Sequence, residues 1–261
     1  MIIGAVNFLN AYPLYWALES DLNHRLVKDS PANLADMLKN NELDLAIISS
    51  IEYFKNKGIF SYYPDLCIGA AGKVISIRIF LKKEAIENFY DFVQKSEPVK
   101  VYYDAATRSS IAMLKIVLKE LNPDKPVEYI LIQPPFENLL EKIKSDEMVL
   151  LIGDNAIKNR EKPSLDLGEV YYKIFHQPFV YAIWVYQKRL SEDGRQVLLN
   201  AFEKGQLKMD SMINDAVREF GFEYEFTKKY LTSIIKYELK EEFQIGLEFF
   251  FKKFSDLQKL N

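Results

Sequence analysis

Cysteine occurs once in this chain, as Cys67, and histidine twice, as His24 and His176. A single cysteine excludes an internal disulfide framework, and two separated histidines form no cluster with metal-ligand spacing, so a reduced compartment and no structural zinc are expected. Long apolar runs are also missing. The longest, Phe179 to Tyr186 with Trp184 inside it, is far below the roughly 20 residues that span a bilayer and reads as a buried strand. The amino terminus lacks the basic start and apolar core of an export signal, so a cytoplasmic protein without a membrane partner is expected. Neither sign of charge dominates. With 34 basic against 37 acidic residues there is no general nucleic-acid surface, and an anionic ligand has to be held by a local pocket. Internal repeats, low-complexity tracts and Gly/Ser linkers are absent. So are a Walker motif and a Gly-x-Gly-x-x-Gly fingerprint, and no nucleotide or other cofactor is expected.

What the chain has is 261 residues, 49 % of them apolar, enough for a sizeable core in one large domain or two lobes. Ile2-Ile3-Gly4-Ala5-Val6 reads as a buried strand, and Asn7 to Pro13 as the turn from it into a helix. Arg25 to Lys28 is a second strand. Ser30-Pro31 then supplies an N-cap followed by proline at the first helical position, and Asp44 to Ile48 is a third strand. Leu66 to Ala71 and Val74 to Leu81 read as a strand pair around Ala71-Gly72-Lys73. From about residue 85 the alternation restarts, with strands at Val99–Tyr103, Val127–Ile132 and Met148–Ile152 and helices from Arg108 and over 135–145. Beyond residue 186 the remainder reads as helical, with Leu231, Ile234, Ile235, Leu239, Phe243, Leu247, Phe250, Phe251 and Phe254 on one apolar face. Alternation of this kind gives an α/β fold with mainly parallel sheets. Two lobes joined by crossing strands, 1–82 with 183–261 and 83–182, form a hinged binding cleft, and one continuous sheet is the alternative.

Several residues are candidates for chemistry. Asn10 either caps the helix that follows or projects at the carboxyl end of the first strand, where open α/β sheets bind ligands. Arg108, with Thr107 before it and Ser109-Ser110 after, places a guanidinium, hydroxyls and backbone N–H groups at one helix start; it is a carboxylate or phosphate clamp, or a solvated arginine beside an ordinary cap. Ser76 interrupts an apolar strand and either finds a backbone partner or faces a ligand. Asp154, Glu52 and His176 are the possible general acids or bases. Asp154 fits a cap, Glu52 an ion pair with a neighbouring basic group, and His176 a rim position.

Taken together, GAVNFLNAYPLYW, the run from SPANLADML through LDLAIISSIEY, CIGAAGKVIS, the TRSS turn, LLIGDNAI, DLGEVYYKIFHQPFVYAIWV and YLTSIIKYELKEEFQIGLEFFFKKF resemble the chorismate dehydratases of the futalosine route to menaquinone. The resemblance covers almost the whole chain in order. It implies a cytoplasmic enzyme with the two-lobed fold of type II periplasmic binding proteins, and the related naphthoate synthase of the same route shares that fold. Lys73 stands where the family usually has proline, Asn155 where it has alanine, and His176 within a segment that usually reads Thr-Gly-Leu-Pro. The resemblance implies chorismate as the small-molecule partner. Arg108, Thr107 and Ser109 then hold a carboxylate, Ser76 orients the ring portion, and Asn10, the catalytic candidate, orients the substrate hydroxyl or a carboxylate through both ends of its amide. The substrate's own enolpyruvyl carboxylate is the expected base, made effective by tethering. A non-catalytic small-anion binding protein would use the same residues.

Overall fold

The computed structural model describes residues 1–187 and 192–259. By the contacts its chain makes with itself the molecule divides into two compact units, Met1–Ala70 with Val180–Leu247, and Ala71–Phe179 with the residues from Glu248 onward.

The first unit is built on a six-stranded sheet. Its spatial order is Lys236–Glu238, Phe60–Ala70, Phe179–Gln187, Leu45–Ser49, Ile2–Val6, Arg25–Asp29. Ile2–Val6 is parallel to both of its neighbours, and Phe179–Gln187 runs antiparallel to Leu45–Ser49 with Ala182 opposite Ser49. The central strands are buried almost throughout, which is why they read as unbroken apolar runs rather than as alternation. Helix Pro31–Lys39 starts as the sequence predicts: Pro31 takes the first helical position, and Ser30 Oγ accepts the Asn33 N–H at 3.2 Å. The helix lies close on the first strand because Gly4 has no side chain. A Cβ there would come within 2.7 Å of Leu43 Cδ1 and 2.9 Å of both Ala46 Cβ and Leu34 Cδ2.

The second unit holds five strands in the order Val127–Leu131, Val99–Tyr103, Glu147–Ile152, Ile77–Phe80, Ser164–Asp166. The first three are parallel, and Ile77–Phe80 is antiparallel to both of its neighbours. Phe80, Phe136, Leu140, Ile143, Val149, Leu151 and Ala156 form a buried apolar cluster on it. Rings from the last helix complete the packing: Phe250 meets Phe179 at 4.6 Å between centroids, and Phe249 meets Phe175 at 5.5 Å.

Four expectations change. The strand pair around Ala71-Gly72-Lys73 does not form: Phe60–Ala70 belongs to the first sheet and Ile77–Phe80 to the second, so this segment is a crossing, not a hairpin. The unit boundaries accordingly fall at 70 and 180 instead of 82 and 183, and residues from 248 on pack with the second unit through their phenylalanines. The helix expected over 135–145 is only Glu137–Glu141, and the carboxyl-terminal apolar face is split by the strand Lys236–Glu238 before helix Glu241–Lys259. Among the described residues no helix is long and apolar enough to cross a membrane.

Candidate functional site

Asn10 and the Thr107–Ser109 turn follow the carboxyl ends of strands, one in each unit. In the first unit, Ile2–Val6 passes through Asn7 into a 3-10 turn, Leu9–Ala11, and then a helical turn, Tyr12–Tyr15. Asn10 lies inside that 3-10 turn and not at its cap, a position held by Phe8 in extended backbone. The capping reading of Asn10 is therefore set aside. Its Oδ1 is buried and has no hydrogen-bond partner among the described residues. An amide oxygen in that state costs stability unless a ligand or water satisfies it. Ser49, where the adjacent third strand ends, has a buried Oγ in the same condition.

In the second unit, Val99–Tyr103 feeds the turn Asp104–Thr107 and the helix Arg108–Leu121. Asp104 Oδ1 accepts the Ala106 N–H at 2.8 Å, and burial raises the Asp104 carboxyl above the usual carboxylate range. Thr107 stands at the N-cap but does not cap: its hydroxyl donates to the Asp104 carbonyl at 2.7 Å, and Oγ1 accepts no N–H from the first helical turn. Arg108 is the first helical residue, and Ser109 is buried behind it. A fourteen-residue helix thus starts with a guanidinium in place of a side-chain cap, an arrangement suited to an anion.

Ser76 is fully buried just ahead of Ile77–Phe80, and its Oγ has no hydrogen-bond partner among the described residues. Its backbone is anchored, since Ser76 O accepts the N–H of Gly153, the first residue of helix Gly153–Lys158, at 2.8 Å. Ser76, Thr107, Arg108 and Ser109 are thereby residues of one unit and Asn10 of the other.

Glu52 is buried in helix Ser50–Lys55 with Lys55 Nζ at 3.9 Å, the ion pair anticipated for it. Asp154 lies half-buried in the first turn of helix Gly153–Lys158, with Ile152 at the cap position, so the capping expectation for Asp154 does not hold. His176 is exposed and ends helix Leu167–Phe175 in left-handed backbone, φ 53°, its N–H donating to Tyr172 O at 2.9 Å. That conformation suits glycine, so the usual Gly of the resembled segment has a backbone reason. Among the described residues no group of three or more His, Cys, Asp or Glu side chains could hold a metal ion.

Asp166 escaped the sequence reading. It caps helix Leu167–Phe175 by accepting the Glu169 N–H at 3.1 Å, and it also accepts N–H groups from the residues just before Ser76. Acidic residues three apart ahead of an apolar helix, Asp166 and Glu169, were the available signal.

Both units and their strand orders define an α/β protein of the periplasmic-binding-protein-like class. A crystal structure of protein AF1704 from Archaeoglobus fulgidus is similar with a TM-score of 0.74 at 15 % identity, covering 100 % of this chain and 98 % of that one. The periplasmic aliphatic sulphonate binding protein SsuA from Escherichia coli is similar with a TM-score of 0.68 at 11 % identity, over 99 % of this chain and 87 % of that one. Residues 1–256 match the model of a family described as menaquinone biosynthesis, and the chain belongs to that family. A chorismate dehydratase from Thermus thermophilus is 26 % identical over 270 aligned positions, covering 95 % of this chain and 93 % of that protein.

Proposed function

We propose that this protein is a cytoplasmic chorismate dehydratase, converting chorismate to 3-[(1-carboxyvinyl)oxy]benzoate and water in menaquinone biosynthesis. The observation that carries the reading is the full-length similarity to a chorismate dehydratase within a menaquinone biosynthesis family. The state of the candidate side chains supports it. Asn10 Oδ1 and Ser76 Oγ are buried polar atoms with no partner among the described residues, and Arg108 is the first residue of a helix that no side chain caps.

Chorismate offers two carboxylates and one hydroxyl. Water is lost across neighbouring ring carbons, the one bearing the hydroxyl and the one bearing the enolpyruvyl ether. The C–H bond of the ether-bearing carbon breaks, its electron pair forms the ring double bond, and the hydroxyl leaves as water with the proton. Aromatisation supplies the driving force, so the protein's task is to position the substrate and stabilise charge. In this proposal Arg108 with the Thr107–Ser109 turn binds a carboxylate, Ser76 orients the ring portion through a hydrogen bond, and Asn10 orients the leaving hydroxyl by accepting from it through Oδ1. No side chain is needed as base. The enolpyruvyl carboxylate is tethered beside the carbon that loses its proton, and proximity compensates for its weak basicity.

The test is to mix purified protein with chorismate, follow the loss of its cyclohexadiene absorbance, and identify a product lighter by one water by mass spectrometry. Dehydration at an enzymatic rate, weakened in R108A through a raised KM, is the expected result. Binding of chorismate without turnover would make the protein a small-anion binder. Turnover of cyclic dehypoxanthine futalosine, with chorismate untouched, would make it a naphthoate synthase. Loss of turnover in D154N or H176A with binding intact would place the base on the enzyme.

A further inference from the structure

The turn that carries Ser76 rests on a carboxylate that the proposed reaction does not use. Asp166 is buried at the end of Ser164–Asp166. Its Oδ2 accepts the Ile75 N–H at 2.6 Å, both oxygens lie 3.1 Å from the Val74 nitrogen, and Oδ1 takes the Glu169 N–H at 3.1 Å. Three backbone donors converge on one side chain. Burial pulls the Asp166 carboxyl upward and these N–H groups pull it back, helped by the Arg78 guanidinium, which itself donates to Ser164 Oγ at 2.8 Å.

Between those donors and Ser76 the backbone is strained. Ile75 has φ 67°, and the Ser76 N–H donates to Val74 O, two residues back, at 2.8 Å. A three-residue turn in left-handed backbone is rare, and for a β-branched residue it is an outlier. Such a conformation persists only where its surroundings over-determine it. Here Asp166 grips the two amides before Ser76, and the Gly153 N–H grips the carbonyl of Ser76 itself. The product of both grips is a buried serine hydroxyl with no partner among the described residues.

We propose that Asp166 is a positioning residue: by accepting the Val74 and Ile75 amide protons it holds Ile75 in its left-handed turn and so fixes Ser76 Oγ for the substrate, an inference that rests on the dehydratase reading. The same carboxylate caps a helix, so the experiment has to separate the two roles. Asp166→Asn keeps the shape of the side chain and turns an N–H donor on the amides it should accept from. Ile75 is half-buried, and Ile75→Gly removes the backbone penalty of φ 67° without touching the helix cap.

D166N is expected to lower kcat/KM for chorismate by about 10- to 100-fold, the scale of a misplacement of about 1 Å. I75G added to D166N recovers most of that loss. In an S76A background D166N costs little more, because the hydroxyl it positions is already gone. Failure of I75G to restore activity, or an equal loss from D166N with and without Ser76, reduces Asp166 to a helix cap and overturns the inference. A wild-type chain that leaves chorismate untouched overturns the dehydratase reading instead. The turn is then read by NMR: the Ser76 amide resonance, set by its bond to Val74 O, must move in D166N and return with I75G, and its staying in place sinks the inference.

Discussion

The two units follow one plan with different chemistry at matching places. In each sheet three parallel strands lie with the first of them in chain order between the other two, and the strand the chain enters on crossing between the units lies antiparallel beside the third. The first strand of one unit, Ile2–Val6, runs into the turn that holds Asn10. Its counterpart, Val99–Tyr103, runs into the turn that holds Arg108. One turn is a tight 3-10 segment presenting an amide, the other a helix start presenting a guanidinium. The crossing strands match as well: Val180 O accepts the Ser50 hydroxyl at 2.7 Å, where Ser76 O accepts the Gly153 N–H at 2.8 Å. A shared topology thus settles where the candidate residues project and leaves open what they are. In the proposed reaction Arg108 grips charge and Asn10 handles the hydroxyl.

That division is open to direct attack. Arg108→Ala is expected to cost about 2–5 kcal/mol of substrate binding, as truncation of a charged hydrogen-bonding group does, and to appear mainly in KM. Asn10→Ala, in the matching turn, should instead lower kcat by about 10²-fold, the scale of a reacting group misplaced by about 1 Å, with KM changed less. If steady-state kinetics show both variants failing in the same parameter, the two turns do not divide the work.

Packing of the opening strands differs in the same way. Gly4 is the third residue of its strand, and the third residue of the matching strand is the buried Val101. Gly4→Ala forces Leu34, Leu43 and Ala46 apart and should destabilise the first unit by about 1–3 kcal/mol in urea unfolding. An unchanged midpoint would show that the Pro31–Lys39 helix yields.

Helix ends supply a smaller contrast. Met209–Phe220 ends on Gly221, φ 74°, whose N–H donates to Val217 O at 2.9 Å, while Leu167–Phe175 ends the same way on His176. His176→Gly should therefore stabilise the protein by about 0.5–1 kcal/mol, read as a raised Tm, because glycine adopts left-handed backbone without a Cβ penalty. Cys67 gives the smallest perturbation. It is buried in the first unit with its thiol pKa pushed up, and the second unit has no cysteine. A thiol reagent should leave the native protein unmodified, and its reaction rate in rising denaturant reports opening of the first unit alone.

Strands and the turns after them were legible because buried parallel strands are apolar along their whole length and a polar residue ends each one. Ile2–Val6 and Leu45–Ser49 are of this kind. The crossing at 71–76 was not legible. Two apolar runs separated by Gly72 look like a hairpin, and only the register with Glu147–Ile152 and Ser164–Asp166 assigns the second run to the other sheet. Lys236–Glu238 was too short to break a helical apolar pattern, and it pairs at a sheet edge. Of the candidate residues, Ser76 announced itself as a hydroxyl within an apolar run. The turn beneath it did not, because Ile75 has a side chain that ordinarily marks extended backbone.

Helix Glu241–Lys259 has a bearing on synthesis. Its first residues, up to Leu247, belong to the first unit, and Phe249, Phe250 and Lys253 pack against Phe175, Phe179 and Glu120, which a ribosome makes some seventy or more residues earlier. Translation therefore leaves Phe175 and Phe179 without these partners until the closing stretch emerges. A stalled or trimmed product ending near residue 240 would lack the phenylalanines that seal residues 71–179, making it a natural client for chaperones and for proteolysis.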